Sequence, residues 1–228
     1  MKKKLFTVLT FGAMILFGNV KGMSANLLTN ASFESPDIVS LNDSIWYDSG
    51  STTIIGWTVV GGQIQLVPDT YLTANLNASD GRQWIDLTGM VGYGKGLKSD
   101  NVTTEIGATY LLTFDLGEYI AFGTASANMS INGATPTIFT NNQSDYQGKM
   151  MNWEPKSFSW VADSNSANFT FLGDSNSSND GVIGLDNVVF VKTAPVTSPT
   201  PEPSSMLLLG TGLAALAGAR KLKKQHAA

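Results

Sequence analysis

The chain has 228 residues, with 14 Lys+Arg, 18 Asp+Glu, one His and no Cys. Between residues 26 and 200 stand six basic and 17 acidic side chains, a net charge of −11 that argues against a nucleic-acid partner, because phosphate contacts need Lys and Arg. The lack of Cys excludes a disulfide framework, thiolate zinc sites and cysteine nucleophiles.

The chain opens with Lys2-Lys3-Lys4 and an apolar run over residues 5–17, the charged and apolar regions of a secretory signal peptide. The run is too short for a comfortable membrane span. Small residues follow at Gly22, Ser24 and Ala25, so cleavage by signal peptidase is expected after Ala25. Met23 is a poor residue three positions before that bond, which leaves cleavage after Gly22 as the alternative.

Residues 26–192 are rich in Asn, Ser, Thr and Gly and form one stretch long enough for a sizeable core. No window carries an apolar repeat at helical spacing, whereas alternation with a period of two recurs. In 109–117, Tyr110, Leu112, Phe114 and Leu116 share one face. Segments 127–131, 157–161 and 168–172 alternate likewise, and 52–55, 57–60, 63–67, 83–87 and 184–191 are further predicted strands. Gly61-Gly62, Asp80-Gly81, Asn132-Gly133 and Asp180-Gly181 punctuate them as turns. Many short strands, each with one apolar face to cover, predict an all-β sandwich. The acidic loop 174–181 lacks the glycine and glutamate placement of an EF-hand and reads as a hairpin loop.

Five pieces occur in order: NLLTNASFESP at 26–36, GWTV at 56–59, DGRQWIDL at 80–87, TYLLTFDL at 109–116 and GLDNV at 184–188. Together they resemble the choice-of-anchor C family, whose members carry interchangeable bacterial sorting tails. More distantly they resemble plant cell-wall proteins of a related uncharacterised family, and carbohydrate-binding modules with a galactose-binding-like jelly roll. The resemblance implies a jelly-roll β-sandwich. It also implies a structural calcium between Glu34 of the opening motif and Asp186 of the last strand. The alternative for these two carboxylates is that they accept hydrogen bonds from backbone amides at strand ends.

A sugar site needs an aromatic face for C–H stacking beside polar groups for the hydroxyls. Alternation over 83–87 places Trp84 and Asp86 opposite Ile85 and Leu87, with Arg82 adjacent, which makes these three the candidate platform for a neutral polysaccharide. The alternative is that another strand or loop covers Trp84. Trp46, Tyr47, Tyr71, Tyr93 and Trp153 lie in loop-like stretches that can line a cleft, while Trp57 and Trp160 read as core.

Residues 193–200 (TAPVTSPT) read as an extended spacer. Pro201-Glu202-Pro203 comes next, then an apolar stretch over 206–219 and a basic end at Arg220, Lys221, Lys223 and Lys224. As a helix the fourteen apolar residues would measure about 21 Å, short of a hydrocarbon core of about 30 Å. This three-part end, spanning 201–224, resembles the PEP-CTERM sorting signal of Gram-negative bacteria. The resemblance implies transient anchoring in the inner membrane by a short apolar helix, recognition of the motif by an exosortase, and removal of the tail to leave a cell-surface or extracellular protein.

Catalysis has little support. The sole histidine is His226 in that tail, and the paired-acid strand pattern Glu-x-Asp-x-x-Glu is absent. The sequence therefore predicts a non-catalytic, glycan-associated exported domain. A structural adhesion protein without a sugar site is the alternative, and a carboxylate glycosidase a more distant one.

Overall fold

The computed structural model describes residues 25–193 apart from 42, 72–75, 90–92, 120–123, 143–150 and 175–181, together with Thr211. The apolar run of the signal peptide, the Pro201-Glu202-Pro203 motif and the expected C-terminal helix lie outside the described residues.

Thirteen strands are described: β1 (Ile45–Tyr47), β2 (Trp57–Val60), β3 (Ile64–Pro68), β4 (Gln83–Asp86), β5 (Gly96–Ser99), β6 (Val102–Thr103), β7 (Thr109–Tyr119), β8 (Ala125–Ile131), β9 (Thr137–Asn141), β10 (Met151–Val161), β11 (Ser166–Ala167), β12 (Phe169–Gly173) and β13 (Ile183–Lys192). One sheet has six strands in the order β1-β3-β4-β13-β7-β10, and the facing sheet has five in the order β2-β5-β12-β8-β9. Every pairing is antiparallel. β6 and β11 pair separately, and the chain crosses repeatedly between the two larger sheets, which gives the jelly-roll sandwich expected from the sequence.

The core follows from the alternation. Leu112, Phe114 and Leu116 of β7 meet Phe169 and Phe171 of β12 and Ala127 and Met129 of β8 between the sheets. Phe114 stands edge-on to Phe171 with centroids 5.0 Å apart, and Phe169 stands likewise to Phe190 at 4.6 Å. Trp57 is fully buried as expected, and Trp160 packs half-buried against the same core.

The first segment closes the fold. The amide of Leu27 donates to the Phe190 carbonyl and that of Val188 to the Ala31 carbonyl, so residues 26–31 run beside the second half of β13. The register of β13 against β7 shifts between Asp186 and Val189, where Asn187 has φ +49°. This β-bulge re-aims the side chains around it.

Two differences from the sequence reading have local causes. Residues 52–55, expected as a strand, are irregular at 52–53 and bend into a turn at 54–55. Strand β10 starts at Met151, six residues before the alternation at 157–161 suggests, because Pro155 interrupts the pattern. β10 is an edge strand, where a missing amide costs the ladder nothing.

Candidate functional site

Glu34 and Asp186 meet at one turn. The Asp80-Gly81 turn leads into β4, and its backbone amides point outward on both sides. Asp186 Oδ2 accepts from the amides of Ser79 (2.8 Å) and Asp80 (2.9 Å). Its Oδ1 accepts from the Asn187 amide (2.7 Å) and the Ser32 hydroxyl (3.3 Å). Glu34 Oε1 accepts from the amides of Arg82 (2.8 Å) and Gln83 (2.9 Å). Gly81 has φ +68°, and a Cβ there would fall 2.4 Å from Glu34 Oε1, so glycine serves both the backbone and the close approach.

This arrangement is an amide clamp, the alternative to the calcium expected from the resemblance, with both carboxylates accepting from backbone amides. Three backbone amides face the Asp186 carboxyl, and the single Ser32 hydroxyl hydrogen is shared between Asp186 Oδ1 (3.3 Å) and the nearer Asp80 Oδ2 (2.8 Å). No group of three or more Asp, Glu or His side chains that could hold a metal ion occurs among the described residues. Burial nevertheless raises the Asp186 carboxyl to about 7, outweighing the backbone and hydroxyl donors that favour its charged form.

The Trp84 platform requires a correction. β4 does place Trp84 and Asp86 opposite Ile85, but both faces are covered. Trp84 is 1% exposed, and its indole N–H donates to the Leu76 carbonyl at 2.9 Å. It belongs to a second apolar cluster with Val67, Leu76 and Met151, flanked by half-buried Tyr71, Tyr119 and Trp153. Asp86 is buried too, accepts from the Thr88 amide, and is raised to about 6 by burial. Arg82 is exposed and pairs with Asp69 at 3.4 Å, a surface contact worth little.

The same register builds a different surface. Cross-strand partners share a face, and one row runs across all six strands of the larger sheet: Trp46, Gln65, Asp86, Gly184, Gly117 and Trp153. At five intervals of about 4.8 Å the row is roughly 24 Å long. Trp46 is 39% exposed at one edge, and half-buried Trp153 closes the other. The Trp153 ring lies over the two glycines. A Cβ on Gly117 would fall 2.6 Å from its Cζ3, and one on Gly184 2.7 Å from its Cη2. Its N–H donates to the Asn77 carbonyl (2.8 Å), and Trp84 meets it edge-on at 5.8 Å. Sequence reasoning named Trp46 and Trp153 but assigned both to loops. The tryptophan two places before Pro155 is visible as a strand residue only once the strand is known to lie at an edge.

Beyond this row, Glu118 on β7 is 3% exposed, and its Oε2 has no hydrogen-bond partner among the described residues. Burial raises its carboxyl to about 7.

The fold is an acidic, disulfide-free jelly-roll β-sandwich with Trp46 and Trp153 at the two edges of its larger sheet. Residues 26–191 match the family described as "Protein of unknown function (DUF642)", and the chain belongs to that family. Residues 199–221 match the PEP-CTERM protein-sorting motif, which marks an exported protein sorted to the cell surface or the extracellular space. No curated protein matches the chain. Among similar solved structures, a TmCBM61 structure in complex with β-1,4-galactotriose is 15% identical with a TM-score of 0.41, covering 75% of this chain and 100% of that one. The CBM22-1 xylan-binding domain of Xyn10C from Paenibacillus barcinonensis is 13% identical with a TM-score of 0.38, covering 66% and 93%. The K2 cleaved adhesin domain of Lys-gingipain is 17% identical with a TM-score of 0.44, covering 65% and 97%.

Proposed function

We propose that this protein is an exosortase-processed surface or matrix protein whose sandwich binds a neutral polysaccharide without chemical turnover. The observation that carries the reading is the pair of indoles at the two edges of the six-strand row, Trp46 exposed and Trp153 half-buried, since Gln65 and Asp86 between them are buried and bonded to Ser44 and Thr88. Trp153 is pinned by the Asn77 carbonyl and by Trp84, so little side-chain entropy would be lost when a sugar stacks on it. The net charge of −11 over residues 26–200 disfavours anionic glycans. Catalysis is not part of the proposal, because Asp86 and Asp186 are buried and committed to backbone amides.

Affinity should be modest, since each sugar hydrogen bond replaces one to water and returns only about 0.5–1.5 kcal/mol. Micromolar to millimolar Kd, roughly −8 to −4 kcal/mol, is the expected range, with avidity from many surface copies. The test is affinity electrophoresis of the mature protein in gels containing the host's own exopolysaccharide and other neutral polysaccharides. Wild type should be retarded, and Trp153→Ala and Trp46→Ala should each lose retardation while keeping the wild-type circular dichroism spectrum. Retardation unchanged in both variants would place binding elsewhere. If wild type is retarded by none of the polysaccharides, the scaffold or adhesion reading replaces this one, a reading that the burial of Trp84 and Asp86 favours.

A further inference from the structure

The tether and the aromatic row sit at opposite ends of the same strand. Gly184, in the row, is the second residue of β13, and Val182 just before the strand packs against the aromatic cluster. Lys192 ends the strand, and Thr193 leaves it with its amide donating to the Thr109 carbonyl at 2.9 Å. Nine residues of strand from Gly184 to Thr193 separate the two by roughly 30 Å. Everything beyond Thr193, the spacer and the sorting tail included, therefore departs from the pole remote from the row.

That exit pole carries the two most exposed large apolar side chains among the described residues. Ile106 is 64% exposed and Val161 58% exposed. They are neighbours of the exit, because Val161 is the cross-strand partner of Thr109. The turn bearing Ile106 is tied to the end of β10 by Gly107 N–H to the Ala162 carbonyl (2.8 Å) and Ala162 N–H to the Ala108 carbonyl (2.9 Å). The Glu105–Lys192 ion pair beside them, at 2.5 Å, is self-neutralising.

Twelve residues, 194–205, separate Thr193 from Met206, the start of the apolar stretch. Fully extended they reach at most about 45 Å, and their Pro, Thr and Ser content gives a short, partly stiff leash. Such a leash holds the pole at a high effective concentration at the lipid surface, where two apolar side chains suffice for a weak, reversible contact.

We propose that, while the tail is attached, the pole bearing Ile106, Val161 and Thr193 rests on the membrane surface and the row from Trp46 to Trp153 is presented outward. The proposal rests on the tail acting as a membrane anchor. Its functional consequence is that the anchored precursor can engage glycan before it is released, without turning over.

The absence of Cys in the native chain allows single-cysteine reporters. Full-length Ile106→Cys and Asn77→Cys proteins are each labelled with an environment-sensitive nitrobenzoxadiazole dye and reconstituted into phosphatidylcholine vesicles doped with a nitroxide lipid. Flotation first establishes anchoring. The expected result is a blue-shifted label at position 106 that is quenched severalfold more than the label at position 77. The label at 106 should lose that quenching in a chain ending at Thr200. Equal quenching at both positions in floating vesicles, or stronger quenching at 77, overturns the orientation and leaves the anchor intact. Quenching at 106 that persists without the tail assigns the signal to the dye and also overturns it. A full-length chain that does not float with the vesicles overturns the anchor and the orientation together.

Discussion

Asp186→Ala is the most informative single change in the domain. It strips acceptors from the amides of Ser79, Asp80 and Asn187 and from the Ser32 hydroxyl. A donor left dry costs about 1–3 kcal/mol. Ser79 and Asp80 sit at an exposed turn where water can replace part of what is lost, so a total of about 3–5 kcal/mol is expected at pH 4. That is a large share of the roughly 5–15 kcal/mol of a typical domain.

The pH dependence provides a second readout of the same residue. The Asp186 carboxyl is raised by burial from 3.8 to about 7, so the folded state holds a proton that the unfolded state has released. Its stabilising contribution is complete below pH 3.8 and is lost as pH rises towards 7. At 1.36 kcal/mol per pH unit the loss totals about 4 kcal/mol. Asp186→Ala lacks this slope, and its deficit relative to wild type should therefore shrink by about that amount between pH 4 and pH 8. Urea denaturation of the mature protein at several pH values measures both quantities. A deficit under about 0.5 kcal/mol at pH 4, the range of ordinary surface changes, would refute the amide clamp. So would a melting temperature that falls on chelation in wild type but not in Asp186→Ala, because that is the signature of a bound calcium.

Three further changes test the remaining parts. Glu118→Gln should gain on wild type by about 1–2 kcal/mol as pH rises from 4 to 8, since burial lifts the Glu118 carboxyl from 4.5 to about 7, solvent screening takes part of the full effect, and the amide does not titrate; parallel pH profiles in urea would contradict this. Trp84→Ala should cost about 3–5 kcal/mol in the same assay, as expected for a fully buried indole, and a near-neutral result would return Trp84 to the surface. Gly184→Ala should cost about 1–3 kcal/mol and shift tryptophan emission by displacing the Trp153 ring, and that cost should shrink in the Trp153→Ala background without vanishing, because Met151 Cε also lies 2.9 Å from the added Cβ.

Much of the sandwich was legible in the sequence because a period of two survives wherever one face is buried between sheets. Tyr110, Leu112, Phe114 and Leu116 are the clearest case, and all four line the core. The short strands β5 and β9 escaped notice because Leu97 is the lone apolar residue of GLKS and Ile138 and Phe139 stand adjacent in TIFTN, so neither shows alternation. At the site, alternation correctly separated Trp84 and Asp86 from Ile85 and Leu87, but it assigns faces and is silent about coverage. The segment around Leu76 and the Trp153 ring, distant in sequence, close over Trp84. Glu34 and Asp186 were the right residues to bring together, and the partners the structure gives them are backbone amides. Which donors a carboxylate meets depends on how the Asp80-Gly81 turn is aimed, and that is set by packing.

The glycine pair connects the fold to its proposed use. Gly117 and Gly184 are direct cross-strand partners in the middle of the larger sheet, where glycine is disfavoured by roughly 0.5–1 kcal/mol each relative to alanine. A sheet that needed only a buried face would place β-branched residues there. What the glycines permit is a close approach of the Trp153 indole and the Met151 methyl to the backbone of two strands, with the indole N–H satisfied by Asn77 and Trp84 packed edge-on against the ring. A ring held this way stays half-exposed and cannot rotate freely, two properties that stacking on a sugar requires and that core packing does not. The local cost of two glycines is thus best understood as the condition for a rigid aromatic floor at the end of the row, rather than as a weakness of the sheet.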